Sequence, residues 1–539
     1  MSQVFKEGNV LGKDKVRVHR GGNRIDGVSK DNELFYNDLP IPKRSKIDLS
    51  FDRKLSFNMG ELVPVLCQEC VPGDTFHIAQ AHNLFLAPLV APLFQRIDYR
   101  TYYFFVPTRL VDDGWKDFIT LQNPNYVLPY FTCNQVYNAG AGYGKNSLFD
   151  YFDIPIQQAN FSGNIRHLCA HPIRAYQLIW NEFFRDEFKQ TELTINKSGG
   201  MISNTEAATY NKMFIGWEKD YFTTCQTTPQ VGADVSLPVG IVSDGSLTLN
   251  SQTYSSNLSI GNSGTIYGSD IPLDSTNPKS YKSGLKTTGT INDLRIANHL
   301  QELRDKLKIA GARYNEAVLA EFGVVVPDYR IQRPEYIGGF ASPVEIGKVM
   351  QTTPTSGSGG TPLGSYAGSG TGSGRMDYIH YNALEHGYII GLSVVVPRTA
   401  YDQGIPRQFM KDTWFDYYHP DFATLGDQEV KNDEIYISDN TSSQQIDNSR
   451  FGYQQRYAEY KYNQDRINGE FRDSLSFWHQ SREFSSLPAL NGTFVTADPS
   501  PRIFAVQNLA NHIYAEIYQQ IDSVRPMPVA IQPNLTNVD

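Results

Sequence analysis

The feature that most narrows the choice of fold is where the strand-like segments fall: they crowd both ends of the chain and leave a long, polar middle. Between residues 47 and 107 lie four runs, IDLSFDRKLSF, ELVPVLCQEC, DTFHIAQAHNLFL and DYRTYYFFVP, with turn residues at Asn58-Met59-Gly60 and Pro72-Gly73-Asp74. Aliphatic and aromatic runs of this length, punctuated by glycine and proline, read as strands. A matching series closes the chain, GYIIGLSVVVP over 387–397 and NHIYAEIYQQI over 511–521. In the latter, Ile513, Ala515, Ile517 and Ile521 fall on one face and Tyr514, Glu516 and Tyr518 on the other, the period-two signature of a half-buried strand. One β domain built from both ends of the sequence is expected, with the middle inserted into it.

The middle carries helical and polar segments. Residues 172–187, PIRAYQLIWNEFFRDE, place Ala175, Leu178 and Ile179 at helical spacing behind Pro172. Residues 290–311 predict a second helix, with Thr290 and Asp293 as a capping pair, a stripe of Leu294, Ala297, Leu300, Leu303 and Leu307, and Gly311 as the left-handed terminator. A short helix over about 313–322 ends at Gly323. Residues 241–290 contain 28 Ser, Thr, Gly or Asn and only six charges, which suits an exposed polar β-hairpin excursion. Residues 352–374, with eight glycines, read as a loop with little structure of its own or as extended chain held by its neighbours.

Charge excludes a uniformly basic nucleic-acid binder, since 48 Lys+Arg stand against 57 Asp+Glu for a net −9. The first thirty residues nevertheless carry seven basic residues against three acids. That arm, bounded here at 1–47, has two readings. Most charged termini are simply solvated. Alternatively Lys13, Lys15, Arg17, Arg20 and Arg24, with the flexible Gly21-Gly22, track a nucleic-acid backbone without reading bases. Five cysteines in 539 residues argue against a disulfide framework and for a reducing compartment. The start of the chain lacks the apolar core of a signal peptide, and no run of eighteen apolar residues occurs.

Catalytic motifs find no anchor. Cys67-x-x-Cys70 followed by His77 and His82 has six residues between its pairs, too few for a zinc finger. Gly8-x3-Gly12-Lys13-Asp14 is one residue short of a phosphate loop and has Asp where the magnesium-binding hydroxyl belongs, and Gly144-Lys145-Asn146 lacks that hydroxyl too. His380, His386 and His419 sit among aromatics as structural histidines would, and Asp112-Asp113 and Asp433-Glu434 lie in polar, turn-like surroundings. No cofactor, metal or enzymatic activity is expected.

Eight blocks, in order along the chain, resemble the major capsid proteins of the Microviridae, the small single-stranded DNA phages, and in particular their gokushovirus branch. They are FNMGELVPVLCQECVPGDTF (57–76), TYYFFVPTRLVDDGW (101–115), RAYQLIWNEFFRDE (174–187), KDYFTTCQTTPQ (219–230), RIQRPEYIGG (330–339), EHGYIIGLSVVVPRTAYDQGIPRQF (385–409), FGYQQRYAEYKYNQDRINGEFR (451–472) and SFWHQSREFSSLPALNGTF (476–494), with RPMP (525–528) near the end. The resemblance lapses over 241–290 and 352–374. It implies a mainly β fold, a single eight-stranded jelly roll over 48–539 with long loop insertions containing a few helices. It also implies a T=1 icosahedral homo-oligomer, assembled in the bacterial cytoplasm around circular single-stranded DNA. The partners implied are that DNA, a small basic DNA-packaging protein, a minor capsid or pilot protein, and a host surface receptor. An insertion at about 190–289 would form a surface protrusion used in host attachment.

A shell subunit buries much of its surface against neighbours, and aromatic side chains give large contact area at low entropic cost. Trp414, Phe415, Tyr417 and Tyr418, and Tyr453, Tyr457, Tyr460 and Tyr462, lie in polar segments outside the obvious strands and are the expected subunit contacts, whereas Tyr102 to Phe105 belong to the domain's own core. Two other functions compete: a receptor- or carbohydrate-binding β protein of the fibre or spike kind, motivated by the polar excursion and the 32 tyrosines, and a hydrolase using the histidines and paired acids.

Overall fold

The computed structural model describes residues 44–132, 144–154, 167–230, 232, 291–311, 313–353, 362–437 and 449–529, together with the backbone of three short strand pairs outside those ranges. Two compact units are present, one made of Met1–Thr227 and Val326–Asp539, the other of Thr228–Val325. Residues 190–227 thus belong to the first unit, and the helices after residue 290 to the second.

The first unit is built on a ten-stranded antiparallel sheet. Its strands are β1 (Ser45–Asp48), β2 (Phe51–Phe57), β3 (Glu61–Cys70), β4 (Thr75–Leu86), β5 (Ile97–Pro107), β6 (Met213–Phe214), β7 (Glu335–Met350), β8 (Tyr366–Asn382), β9 (Gly387–Pro397) and β10 (Ile513–Arg525). They pair in the order β6-β3-β9-β5-β7-β8-β4-β10-β1, with β2 also on β10. The two long strands join the halves of this sheet. β7 pairs with β5 through Val344 and with β8 from Glu345, and β8 passes from β7 to β4 at Thr371.

The apolar patterns explain these places. β9 reads as an unbroken apolar run because both of its faces are covered, as in central strands generally. Ile390, Leu392, Val394 and Val396 join a core with Ile173, Tyr176 and Ile179 of helix α1 (His171–Ile179), while Val395 packs with Tyr99, Val63, Ile513 and Ile517 on the other side. β10 alternates because only one face is covered: Ile513, Ala515, Ile517 and Ile521 are buried, and Tyr514 and Tyr518 are exposed. Tyr103, Phe104 and Phe105 are core residues, as the sequence predicts. Helix α1 opens with Pro172 in its first turn and passes into a π-turn over Trp180–Phe184, after which the backbone becomes extended at Arg185, so the helical segment ends three residues earlier than expected.

Residues 366–374 are a strand, so of the two readings of the glycine-rich segment extended chain held by neighbours is the one that holds; 354–361 fall outside the described residues. The alternation is glycine inward and Ser or Thr outward: Gly368, Gly370 and Gly372 are buried, and Ser369, Thr371 and Ser373 are exposed. Leu86 fills the space in front of Gly370, and Leu84 and Val344 that in front of Gly372. At Gly368 a Cβ atom would sit 2.5 Å from the Ala91 carbonyl oxygen. Glycine in a strand marks such a close approach of neighbouring chain.

Between the two halves of the sheet lies a buried network without charge. Gln80 Nε2 donates to Tyr99 Oη (2.9 Å), Tyr99 Oη and Ser393 Oγ are 2.9 Å apart, and Thr101 Oγ1 and Ser393 Oγ 3.0 Å. Tyr103 Oη lies 2.5 Å from Gln80 Oε1 and 2.9 Å from Gln519 Oε1, and Gln519 Nε2 donates to Gln80 Oε1 at 3.1 Å. Buried polar atoms are tolerated because they are satisfied by one another.

In the second unit, helices α2 (Ile291–Ala310) and α3 (Tyr314–Phe322) form where the periodicity places them, ending at Gly311 (φ +113°) and Gly323 (φ +67°). The predicted stripe of α2 is not core, however: Leu294 is 52% and Leu300 38% exposed. Within the excursion 241–290, hairpin pairs join Leu247–Leu249 to Gln252–Tyr254 and Ser259–Ile260 to Ile266–Tyr267.

Candidate functional site

Two aromatic segments far apart in sequence meet on one surface of the first unit. A helical turn over Trp414–Asp416 is capped by Thr413, and Asp416 Oδ2 accepts from the Thr413 amide (2.8 Å), its hydroxyl (2.7 Å) and the Asp412 amide (3.2 Å). Burial opposes the charge on Asp416, but these bonds outweigh it and hold the carboxyl below its ordinary range. The cap sends the Trp414 ring outward, 65% exposed, edge-on to Phe415 (5.8 Å) and His419 (5.5 Å) and tilted against Phe422 (5.9 Å).

The second segment supplies Tyr457 and Tyr460. Tyr418 stands 5.0 Å from Tyr457 and 6.1 Å from Tyr460, both edge-on. Tyr457 itself is only 3% exposed: its left-handed backbone (φ +61°) turns the ring inward, its amide donates to Gln428 Oε1 (3.0 Å), and its hydroxyl accepts from the His419 amide (3.3 Å). It supports the surface from beneath. Phe415 is half-buried beneath Arg456, whose guanidinium carbon lies 4.1 Å from the ring centre.

Lys411 locks the edge. Its Nζ donates to Tyr460 Oη (2.6 Å), lies 4.0 Å above the Tyr460 ring and 5.3 Å above that of Tyr417, and is balanced by Glu459 at 3.7 Å. Trp414, Tyr417, Tyr418 and Tyr460 thus present exposed rings on a prearranged support. Surfaces of this kind are suited to burial against another protein, because little side-chain entropy remains to be lost. Lys411, Phe422 and Arg456 escaped the sequence reading; the one available signal was that Lys411 and Arg456 each flank an aromatic cluster.

Two other expected contacts have different neighbours. Tyr453 is on the strand Arg450–Gln455, beneath the Arg450 guanidinium (4.8 Å), and Tyr462 packs edge-on against the buried Tyr221 (6.0 Å). Of the basic arm, Lys15 and Arg17 lie in the strand Lys15–His19, paired antiparallel with Tyr36–Pro40, while Lys13, Arg20 and Arg24 fall outside the described residues. Cys67 and Cys70 are on β3 and His77 and His82 on β4, where His77 faces His380 and His82 lies against Tyr99. No group of three or more His, Cys, Asp or Glu among the described residues is arranged to hold a metal ion.

Comparison with known proteins covers nearly the whole chain. The profile of a family described as capsid protein (F protein) matches residues 40–535. Capsid protein VP1 of Chlamydia phage 1 is 32% identical over 96% of this chain and 100% of its own length. Capsid protein VP1 of Bdellovibrio phage phiMH2K is 31% identical over 87% of this chain and 91% of its own, and that of Spiroplasma virus 4 is 28% identical over 92% and 96%.

Proposed function

The chain belongs to the phage capsid (F protein) family, and from that premise we propose that its β domain is a jelly roll forming a T=1 icosahedral shell around circular single-stranded DNA. The role is structural and non-enzymatic, in the virion. The single observation that carries self-assembly in this molecule is the exposed surface of Trp414, Tyr417, Tyr418 and Tyr460, which a neighbouring subunit would cover. The jelly-roll reading is supported by the way β7 and β8 join two half-sheets whose inner faces meet at Gln80, Tyr103 and Gln519.

Electron microscopy of the purified chain tests the reading: closed shells are expected, and a monodisperse small oligomer at every concentration would overturn it in favour of a receptor-binding β protein. In the same images the polar excursion 241–290 is expected on the outer surface, where host attachment requires it, and the basic arm on the inner one. An inward-facing excursion would end the attachment role.

The arm acts on DNA by phosphate neutralisation. Changing Lys13, Lys15, Arg17, Arg20 and Arg24 to glutamine is expected to reduce the salt dependence of single-stranded DNA binding by about 0.7 in logarithmic slope for each phosphate no longer neutralised, with the sheet unaffected. Titration of DNA binding against sodium chloride measures this, and an unchanged slope would show the arm to be merely solvated.

A further inference from the structure

A cysteine, a histidine and an aspartate that the capsid role leaves unexplained are brought into line at the start of α1. Cys169 ends the short strand His167–Cys169, paired with Tyr130–Thr132, and His171 is the first residue of α1. Asp112 comes from the turn that follows β5. Cys169 Sγ lies 3.2 Å from His171 Nδ1, and His171 Nε2 lies 2.9 Å from Asp112 Oδ2. The other carboxylate oxygen accepts from Tyr126 Oη (2.5 Å) and the Gly114 amide (3.0 Å), so the aspartate is fixed from both ends. Trp115 stands edge-on to the imidazole at 5.8 Å. His171 and Asp112 are buried, whereas Cys169 is exposed.

A buried His–Asp pair that served only to tie α1 to the turn would need one ring nitrogen. Here the second is aimed at the sulfur of an exposed residue, the order of groups that activates cysteine nucleophiles. Electrostatics agree with the geometry. Burial opposes charge on all three, yet the bonds from His171 and Tyr126 keep Asp112 below its ordinary range, Asp112 and Cys169 hold the imidazole up to about 9, and His171 draws the thiol down. Among the described residues, Tyr388 of β9 and Cys67 of β3 also act electrostatically on the thiol. Cys67 shows the contrast: without such a partner, burial pushes it up to about 12.

We propose that Cys169, His171 and Asp112 form a reactive-thiolate site that takes disulfides by exchange. The Cys169 thiolate attacks one sulfur of an incoming disulfide, a new S–S bond forms, and the old one breaks with its electron pair leaving on the second sulfur. The proton on His171 Nδ1 passes to that departing thiolate. Cys169 ends oxidised in a mixed disulfide, one half of the incoming molecule ends reduced as a free thiol, and no other reactant is consumed. Asp112 is a positioning residue, holding the imidazole with Nδ1 toward the sulfur.

The test uses the full-length chain under native conditions with the aromatic disulfide 5,5′-dithiobis(2-nitrobenzoate), following release of the coloured thiol and assigning the modified cysteine by peptide mass. An ordinary thiol is about 0.3% ionised at pH 6, and the lower nucleophilicity of an acidic thiolate offsets part of the advantage of full ionisation. Cys169 is therefore expected to react about tenfold faster at pH 6 than in His171→Gln, with a rate that rises from pH 6 to 8 much less steeply than that of a free thiol, and Asp112→Asn to fall between. The wild-type pH profile needs no variant to fold. A Cys169 rate that climbs about tenfold per pH unit, as for a free thiol, or no modification of Cys169 in the native chain, would overturn the proposal.

Discussion

Valine at Gly368 is expected to abolish the folded subunit, whereas valine at the adjacent Ser369 is expected to leave it intact. The two residues sit side by side on β8, one inward and one outward. A Cβ at Gly368 would stand 2.5 Å from the Ala91 carbonyl oxygen and 3.0 Å from Leu89 Cβ, and the Gly368 amide and carbonyl are themselves bonded to Leu89 (3.2 and 3.0 Å). Backbone cannot swing aside as a side chain can, so accommodation means parting two hydrogen-bonded segments. Overpacking of a core costs about 1–3 kcal/mol and more where the obstacle is rigid, against a total stability of about 5–15 kcal/mol. The exposed Ser369 change is expected to stay within about 0.5 kcal/mol. Denaturant unfolding and soluble yield of both variants measure the difference, and equal stability would mean that β8 is not packed as described.

Trp414→Ala is expected to leave the subunit folded and to impair assembly. The ring is mostly exposed and contributes only peripheral contacts to Phe415, His419 and Phe422, so the cost within the subunit should stay near 1 kcal/mol. A central aromatic at an interface is worth about 2 kcal/mol or more, which raises the concentration needed for one contact roughly thirtyfold. A closed shell repeats that penalty in every subunit. Light scattering against protein concentration, with circular dichroism as the check on folding, separates the effects. Assembly at the unchanged concentration would remove Trp414 from the interface.

How far the sequence foretold this structure depended on whether a segment's partner was local. β3, β4, β5, β9 and β10 were legible because their own apolar patterns state how many faces are covered. β7 and the glycine-rich part of β8 carry no such pattern of their own; for β8 the bulk that fills the space before its glycines belongs to Leu84, Leu86 and Leu89 on other segments. The stripe on α2 foretells a helix correctly, but Leu294 and Leu300 on it are exposed. Among the aromatics, nothing in the local sequence separates the buried Tyr457 from the exposed Tyr460; a left-handed backbone at one of them decides it. Of the thiolate site only the Cys-x-His spacing is local, and the aspartate that completes it lies 59 residues away from the histidine.

The neutral network between the half-sheets bears on acid tolerance. Its members are amides, hydroxyls and phenols, and burial raises Tyr99 and Tyr103 above the ordinary phenol range, so none changes charge on acidification. The carboxylate bridge between Arg525 and Asp74 (2.9 Å) lies near the end of β10, away from the centre. Acid reaches the centre through one neighbour: His82, buried against Tyr99, is held by burial down to about 4, so keeping it neutral costs stability progressively as the pH falls from about 6.5 to that value. Above about pH 4 the network itself keeps its alignment, and a particle coming apart there would shed intact subunits rather than unfolded chains.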